Sequence, residues 1–177
     1  MLQTLFAMPK ESGEFLYLCV DPLLVADRWA FYDALGNCPA YALFSGTRLN
    51  AYYDKTPYLA RVMPDSPLVT MFCDEKTGFT HSVVLMASAL KLAPLAEHLQ
   101  KFLFKKRYDG EQVLLRLYDP FVMQNFDVLF PEEQERQDFF SDINAVVYTA
   151  SDRATCMRTS QGFVMNEIAH SREPEPA

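Results

Sequence analysis

Residues 92–131 read LAPLAEHLQKFLFKKRYDGEQVLLRLYDPFVMQNFDVLFP, and the fold can be predicted outward from this stretch. Leucine and phenylalanine recur at helical spacing over residues 92–103, which predicts an amphipathic helix. Lys105-Lys106-Arg107 then falls in the last turn, where positive charges suit the negative end of the helix dipole. We therefore expect a helix that ends near Arg107.

A turn, a strand and a second helix are expected after it. Asp109-Gly110 favours a tight turn, because both residue types tolerate unusual backbone angles. The apolar run 113–118 predicts a buried strand. Asp119-Pro120 ends it and opens a helix, since Asp is a good N-cap and Pro suits the first helical position. Asp21-Pro22 follows the apolar run 15–20 in the same way, so we predict two strand–Asp-Pro–helix units.

The alternation of apolar runs and helical patterns predicts one α/β domain, with a mixed β-sheet flanked by helices. We expect an N-terminal arm over residues 1–13, the domain over 14–160 and a flexible tail over 161–177. The tail is polar, charged and Pro-containing, a composition that buries too little apolar surface to fold. In the first helix we expect one face to hold the side chains Val25, Trp29, Tyr32 and Leu35.

Composition excludes several classes of function. The formal charge is −7 and the pI about 4.9, which disfavours nucleic-acid binding. The four Cys form no C-x-x-C pair, and no glycine-rich phosphate loop occurs, so we expect no metal and no cofactor. The sequence shows neither a signal peptide nor an apolar run long enough to span a membrane. These features predict a cytoplasmic protein that does not insert into membranes.

Arg116 is the residue whose role is most open. A guanidinium in an apolar strand must be paired, because desolvating it alone costs several kcal/mol. It is either a structural clamp on a carboxylate or helix carbonyls, or part of a ligand or partner site at the strand end. Tyr52 and Tyr53 are further candidates for partner contact, since they lie in an irregular aromatic segment and partner sites favour aromatic residues.

Several short motifs resemble, in order and spacing, a bacterial family of adaptor and chaperone domains of type VI secretion, the Tap/TEC adaptors, formerly a domain of unknown function. The resemblance covers roughly residues 15–140 and rests on HL-x-x-FL, DG and RLYDP, with echoes at 17–21, 43–47 and 57–62. The residues that carry it are His98, Leu99, Phe102, Leu103, Asp109, Gly110, Arg116, Tyr118, Asp119 and Pro120.

The resemblance implies a binding module rather than an enzyme. It implies an adaptor that binds the N-terminal region of an effector protein and helps to load it onto the VgrG spike. His98, Arg116, Tyr118, Asp119, Pro120, Tyr52 and Tyr53 are then candidate partner-binding or structural positions, with no catalytic residue. An apolar or aromatic groove would suit such a client.

Two alternatives remain open at this point. The chain could be an immunity protein that neutralises a toxin, which its acidity allows. It could also be a small hydrolase or transferase that uses His98 or His81 with Asp119 or Asp21 and a nearby Ser or Cys. A deep pocket with a His and a carboxylate in hydrogen-bond reach would favour the enzyme.

Overall fold

The computed structural model describes residues 13–73, 82–149 and 155–165. Its strands are β1 (Phe15–Val20), β2 (Ala40–Ala42), β3 (Tyr58–Val62), β4 (Val83–Ser88), β5 (Phe104–Lys106), β6 (Gln112–Leu114), β7 (Ala145–Thr149), β8 (Thr155–Thr159) and β9 (Gly162–Met165). Its helices are α1 (Arg28–Leu35), α2 (Pro67–Cys73), α3 (Leu92–Gln100), α4 (Pro120–Gln124), α5 (Phe126–Leu129) and α6 (Glu133–Phe140), with a 3-10 segment at Asn50–Lys55. The predicted single α/β domain is confirmed.

Seven strands form the main sheet, in the order β2-β3-β1-β4-β7-β8-β9. Every pairing in it is antiparallel, so the prediction of a mixed sheet is wrong. Val20 at the end of β1 lies opposite Tyr58 at the start of β3 and Val83 at the start of β4. The loops after β1, before β3 and before β4 therefore meet at one end of the sheet, which we call the β1 end.

Both faces of the sheet are covered. Tyr17 and Cys19 point to one face, where α3, the β5–β6 hairpin and residues of α4–α6 bury a core. Leu16 and Leu18 point to the other face, where α1 and α2 cover a second core. Continuous apolar strands such as β1 and β4 follow from this arrangement, because both of their faces are buried.

The predicted helix over residues 92–107 ends early. α3 stops at Gln100, and residues 105–107 belong to β5 and the hairpin turn rather than to a last helical turn. The hairpin is favoured because Leu115 N donates to Leu103 O and because Lys105 Nζ reaches Glu135. The turn at Asp109-Gly110 is confirmed, and Gly110 adopts a φ of 86°, where a side chain would be strained.

The strand predicted over 113–118 is also shorter, since β6 ends at Leu114. Arg116 lies in the following turn, where its carbonyl accepts from Asp119 N. Asp119-Pro120 then opens α4 as predicted, but the apolar helix breaks at Asn125 into α4 and α5.

Asp21-Pro22 does not open a helix, so the prediction of two strand–Asp-Pro–helix units is wrong. Asp21 accepts from Leu23 N in a local turn, and α1 begins only at Arg28 with Asp27 as its N-cap. The predicted face of Val25, Trp29, Tyr32 and Leu35 is also not the buried side of this helix. Phe31, Ala34 and Leu35 face the core, whereas Trp29 is exposed.

The C-terminal part of the sheet extends beyond the prediction. β8 pairs with β7, and β9 lies inside the segment 161–177 that was predicted as a tail. Residues 1–12 and 166–177, which hold most of the predicted arm and tail, lie outside the described residues. No helix in the described part of the chain has the length and apolar character needed to cross a membrane.

Candidate functional site

A polar cluster of Asp21, Arg116 and Asp119 lies at the β1 end of the sheet. Arg116 Nη2 donates to Asp21 Oδ2 at 2.7 Å and lies 3.5 Å from Asp119 Oδ2. The Asp21 side chain is 4% exposed and that of Arg116 is 39% exposed. Arg116 therefore neutralises a buried carboxylate and keeps part of its guanidinium at the surface.

Two pKa shifts follow from this packing. Burial would lower the pKa of Arg116, but the hydrogen bond and charge of Asp21 outweigh it and raise the pKa above its ordinary value. Burial also raises the pKa of Tyr118, whose ring lies 6.0 Å from the Arg116 guanidinium. Both shifts favour the protonated form of the group.

Asp119 and Pro120 serve the start of α4. Asp119 Oδ1 accepts from Phe121 N, its backbone oxygen accepts from Met123 N, and Pro120 is buried at the first helical position. With its other carboxylate oxygen near Arg116, Asp119 links the helix start to the polar cluster. Tyr118 and Pro120 are thus buried residues on either side of Asp119, which is itself a member of the polar cluster.

His98 lies in a different place from the other predicted residues. It is 3% exposed, its Nε2 donates to Phe139 O at 2.8 Å, and its Nδ1 lies 3.1 Å from Asp142 Oδ2. Asp142 O accepts from Ser88 at the far end of β4, opposite the β1 end. Both ring nitrogens are occupied, so His98 fixes α3 against the end of α6.

Tyr52 and Tyr53 lie in the 3-10 segment that leads to β3, with 54% and 75% of their surface exposed. The short connection from this segment to Tyr58, at the start of β3, places them near the β1 end. They are available for contact, as expected from the sequence.

The largest exposed aromatic side chain was not among the predicted site residues. Trp29 is 88% exposed and Tyr32, one helical turn later, is 39% exposed. Leu23 and Leu24, in the turn that precedes the helix, are 47% and 38% exposed. We call these four residues the α1 surface, and it lies beside the β1 end because the chain enters it directly from Asp21.

The rings beneath the α1 surface hold it in place. Tyr32 lies 5.2 Å from Phe31 and 6.1 Å from Tyr58, with the second pair edge-to-face. Asp27 caps the helix through Ala30 N, and Ser82 Oγ donates to Leu24 O. The exposed side chains are therefore carried by an anchored helix and turn, which lowers the entropy cost of binding a partner.

A family model described as Domain of unknown function (DUF4123) matches residues 16–137. The chain belongs to this family. No curated protein and no solved structure matches it.

The DUF4123 match includes both the polar cluster and the α1 surface. It ends within α6, so β7, β8 and β9 lie beyond it and complete the sheet on one side. The residues that carry the resemblance noted in the sequence, from His98 to Pro120, all fall inside the matched range.

The chain also has a cleft of about 210 Å³ between α5, α6 and the β8–β9 turn, lined partly by residues beyond the DUF4123 match. Asp127 and Arg158 line it and form a two-pronged ion pair at 2.7 Å for each bond. The residues described as lining the cleft include no histidine, and His98 lies in the core. The cleft thus does not bring together the His and carboxylate pair that was considered for an enzyme, and His81 lies outside the described residues.

Sequence reasoning missed the α1 surface because it placed Trp29 and Tyr32 on one helical stripe with Val25 and Leu35. In the structure Phe31, Ala34 and Leu35 are buried and Trp29 is exposed. Asp27, a good N-cap five residues after Pro22, was the signal that could have found the true start.

Proposed function

We propose that this protein is an adaptor that binds the N-terminal region of a type VI secretion effector and helps to load it onto the VgrG spike. The single observation that carries the proposal is the exposed α1 surface, above all Trp29 at 88% exposure. Trp and Tyr dominate the binding energy of protein interfaces, and a solvent-exposed Trp buries a large apolar area when a partner covers it.

The polar cluster supports the same function in a structural role. Asp21 is pinned by Arg116 just before the chain turns into Leu23 and Leu24. The ion pair thereby fixes the turn that presents these two leucines. Arg116 acts as a clamp on Asp21, and its exposed part lies beside the surface where the client would bind.

The client would be an apolar N-terminal segment of the effector. Such a segment promotes aggregation or degradation of the effector when it stays exposed. A partner that binds the segment in the intact effector stabilises the effector by mass action. An adaptor function therefore requires an exposed apolar surface and no catalytic chemistry. The sequence resemblance to type VI adaptors supplies the partner class.

Gene deletion tests this function in the cell. Without the adaptor gene, we expect less soluble effector and less effector delivery, while other cargo is still fired. Restoring the wild-type gene should restore both, and restoring Trp29→Ser should not. Val128→Ser is the matched control, because Val128 is a 78% exposed apolar residue on α5, away from the α1 surface.

Binding by purified protein completes the test. The effector's N-terminal region should be retained by wild type and by Val128→Ser and released by Trp29→Ser. If deletion leaves effector amount and delivery unchanged, and purified protein binds neither effector nor spike, the proposal is wrong. Protection of cells from the effector's toxicity, without any change in delivery, would instead support an immunity protein.

A further inference from the structure

The basic run of residues 105–107 lies on the β5–β6 hairpin rather than at a helix end, so the helix dipole does not account for it. Strand pairing places Phe104 opposite Leu114 and Lys106 opposite Gln112. Because side chains alternate along a strand, these four residues share one face of the hairpin. We call this face, together with Arg48, the hairpin face.

The side chains on the other face of the hairpin pack against the rest of the domain. Lys105 Nζ bonds Glu135 and Leu129 O and lies 4.9 Å from the Phe130 ring, and Val113 packs against the main core. The hairpin face lies on the opposite side of the strands from Lys105 and Val113, although its Phe104 is half-buried and also packs against the main core. Lys106 and Gln112 are exposed, and Leu114 is 37% exposed.

Arg48 completes the hairpin face from a different loop. Its guanidinium lies 3.9 Å from the centre of the Phe104 ring and its Nη1 donates to Gln112 Oε1 at 2.5 Å. Stacking and hydrogen bonding hold this cation in place above an apolar pair, Phe104 and Leu114. Among the ion pairs of the described residues, neither Arg48 nor Lys106 takes part in one.

We propose that the hairpin face binds an acidic protein segment that carries apolar side chains. Two cations that take part in no ion pair among the described residues attract carboxylates, and Leu114, which is 37% exposed, offers an apolar contact beside them. The chain as a whole has a formal charge of −7, and this net negative charge repels nucleic acid. This surface is separate from the α1 surface and does not rest on the adaptor function.

The tip of the hairpin extends the same surface. Tyr108 is 97% exposed, and the Arg107 guanidinium lies 5.7 Å from its ring. Arg107 is balanced by Asp109 at 3.3 Å and Glu111 at 3.6 Å, so the tip adds an aromatic contact and little net charge. The attraction for acidic residues therefore centres on Arg48 and Lys106.

A pair of labelled synthetic peptides tests the proposal on the full chain. Both have the same apolar residues, and the polar positions are Glu in one and Lys in the other. Fluorescence anisotropy should show binding of the Glu peptide only. The double variant Arg48→Glu/Lys106→Glu should weaken it roughly tenfold, as expected when two exposed ion pairs are replaced by repulsion.

Two further variants keep the test decisive. Arg28→Glu/Lys55→Glu makes the same charge change at two other exposed bases and should bind the Glu peptide within about twofold of wild type. Lys106→Glu/Leu114→Ser leaves the Arg48 contacts to Phe104 and Gln112 intact and should also weaken binding, which guards against a misfolded hairpin. Equal binding of the two peptides, equal loss in the control variant, or binding of a DNA duplex in place of the Glu peptide would overturn the proposal.

Discussion

The guanidinium of Arg116 lies 2.7 Å from the carboxylate of Asp21, although the two residues are 95 positions apart in the sequence. The contact joins the turn before α4 to the end of the central strand β1. It also leaves one buried carboxylate dependent on one half-exposed cation. Replacing Arg116 and replacing Asp21 should therefore change the stability of the protein by different amounts.

Arg116→Ala should reduce the free energy of unfolding by about 2 kcal/mol, because it leaves the buried Asp21 charge without its partner. Asp21→Asn should cost less, since the amide oxygen can still accept from Leu23 N. The double variant should show a coupling of about 1 kcal/mol in urea denaturation. Arg28→Ala, at an exposed arginine of α1, is the control and should change stability by less than about 0.5 kcal/mol. Strictly additive losses would show that the pair does not act as a clamp.

The helix caps give a second prediction. Asp27→Ala and Asp119→Ala should each destabilise the protein by about 1 kcal/mol, because each removes the acceptor for an unpaired helix N–H. Asp27→Asn should cost much less, since Asn is an equally good cap. Asp33→Ala, at an exposed position inside α1, is the control and should be near neutral. Thermal unfolding of the four variants tests this prediction. If Asp27→Ala lost no more stability than Asp33→Ala, Asp27 would not stabilise the helix as an N-cap.

The Asp127–Arg158 pair predicts a pH dependence. The hydrogen bonds from Arg158 lower the pKa of Asp127 below its ordinary value of 3.8. The unfolded chain therefore binds this proton more tightly than the folded chain does. The pair's contribution is present above an ordinary carboxyl pKa and is lost as the pH falls through the lower, folded value.

Urea unfolding of wild type and Asp127→Asn measures this dependence. The difference in stability between them should be constant near about pH 6 and smaller near about pH 3, because Asp127 of the unfolded chain takes up its proton there while the folded chain resists it. Asp138→Asn, at an exposed acid of α6, is the control. A difference that grows as the pH falls would contradict the sign of the pKa shift.

The thiols differ in reactivity. Burial, and then the charge of Asp21, raises the pKa of Cys19, which is 1% exposed, whereas Cys38 is half-buried. Only thiolate reacts with iodoacetamide, so Cys38 should be alkylated first and Cys19 only after unfolding. Peptide mass mapping after brief labelling, with and without urea, checks the order. Labelling of Cys19 as fast as Cys38 in the folded protein would contradict its burial.

The parts of the fold that depend on local pattern were predictable. The continuous apolar run 15–20 predicted β1, and turn chemistry predicted the Asp109-Gly110 turn and the Asp119 cap. The strand at residues 104–106 could not be predicted, because these residues suit a helix and a strand equally well. Only their packing against α6 decides between the two. The antiparallel order of the sheet rests on contacts between distant segments and has no local signal.

The candidate site was predictable only where its residues are neighbours in the sequence. Arg116, Tyr118, Asp119 and Pro120 lie together as their spacing suggested. Their partner Asp21 is distant in sequence, and its carboxylate was assigned to a helix cap. His98 belongs to the opposite end of the sheet. Trp29 was missed because the apolar residues of this short helix allow two stripes, and the one that faces the core is that of Phe31, Ala34 and Leu35.

Trp29 itself offers the most direct measurement of the proposed adaptor function. It is the sole Trp in the chain and is 88% exposed, so its emission reports on the α1 surface alone. A Trp-free N-terminal fragment of the candidate effector should shift this emission to the blue and saturate it. Trp29→Phe/Val128→Trp moves the probe to α5 and should bind the fragment more weakly without a comparable shift. If the fragment binds and the Trp29 emission stays that of a water-exposed ring, the client does not cover the α1 surface and the central claim is wrong.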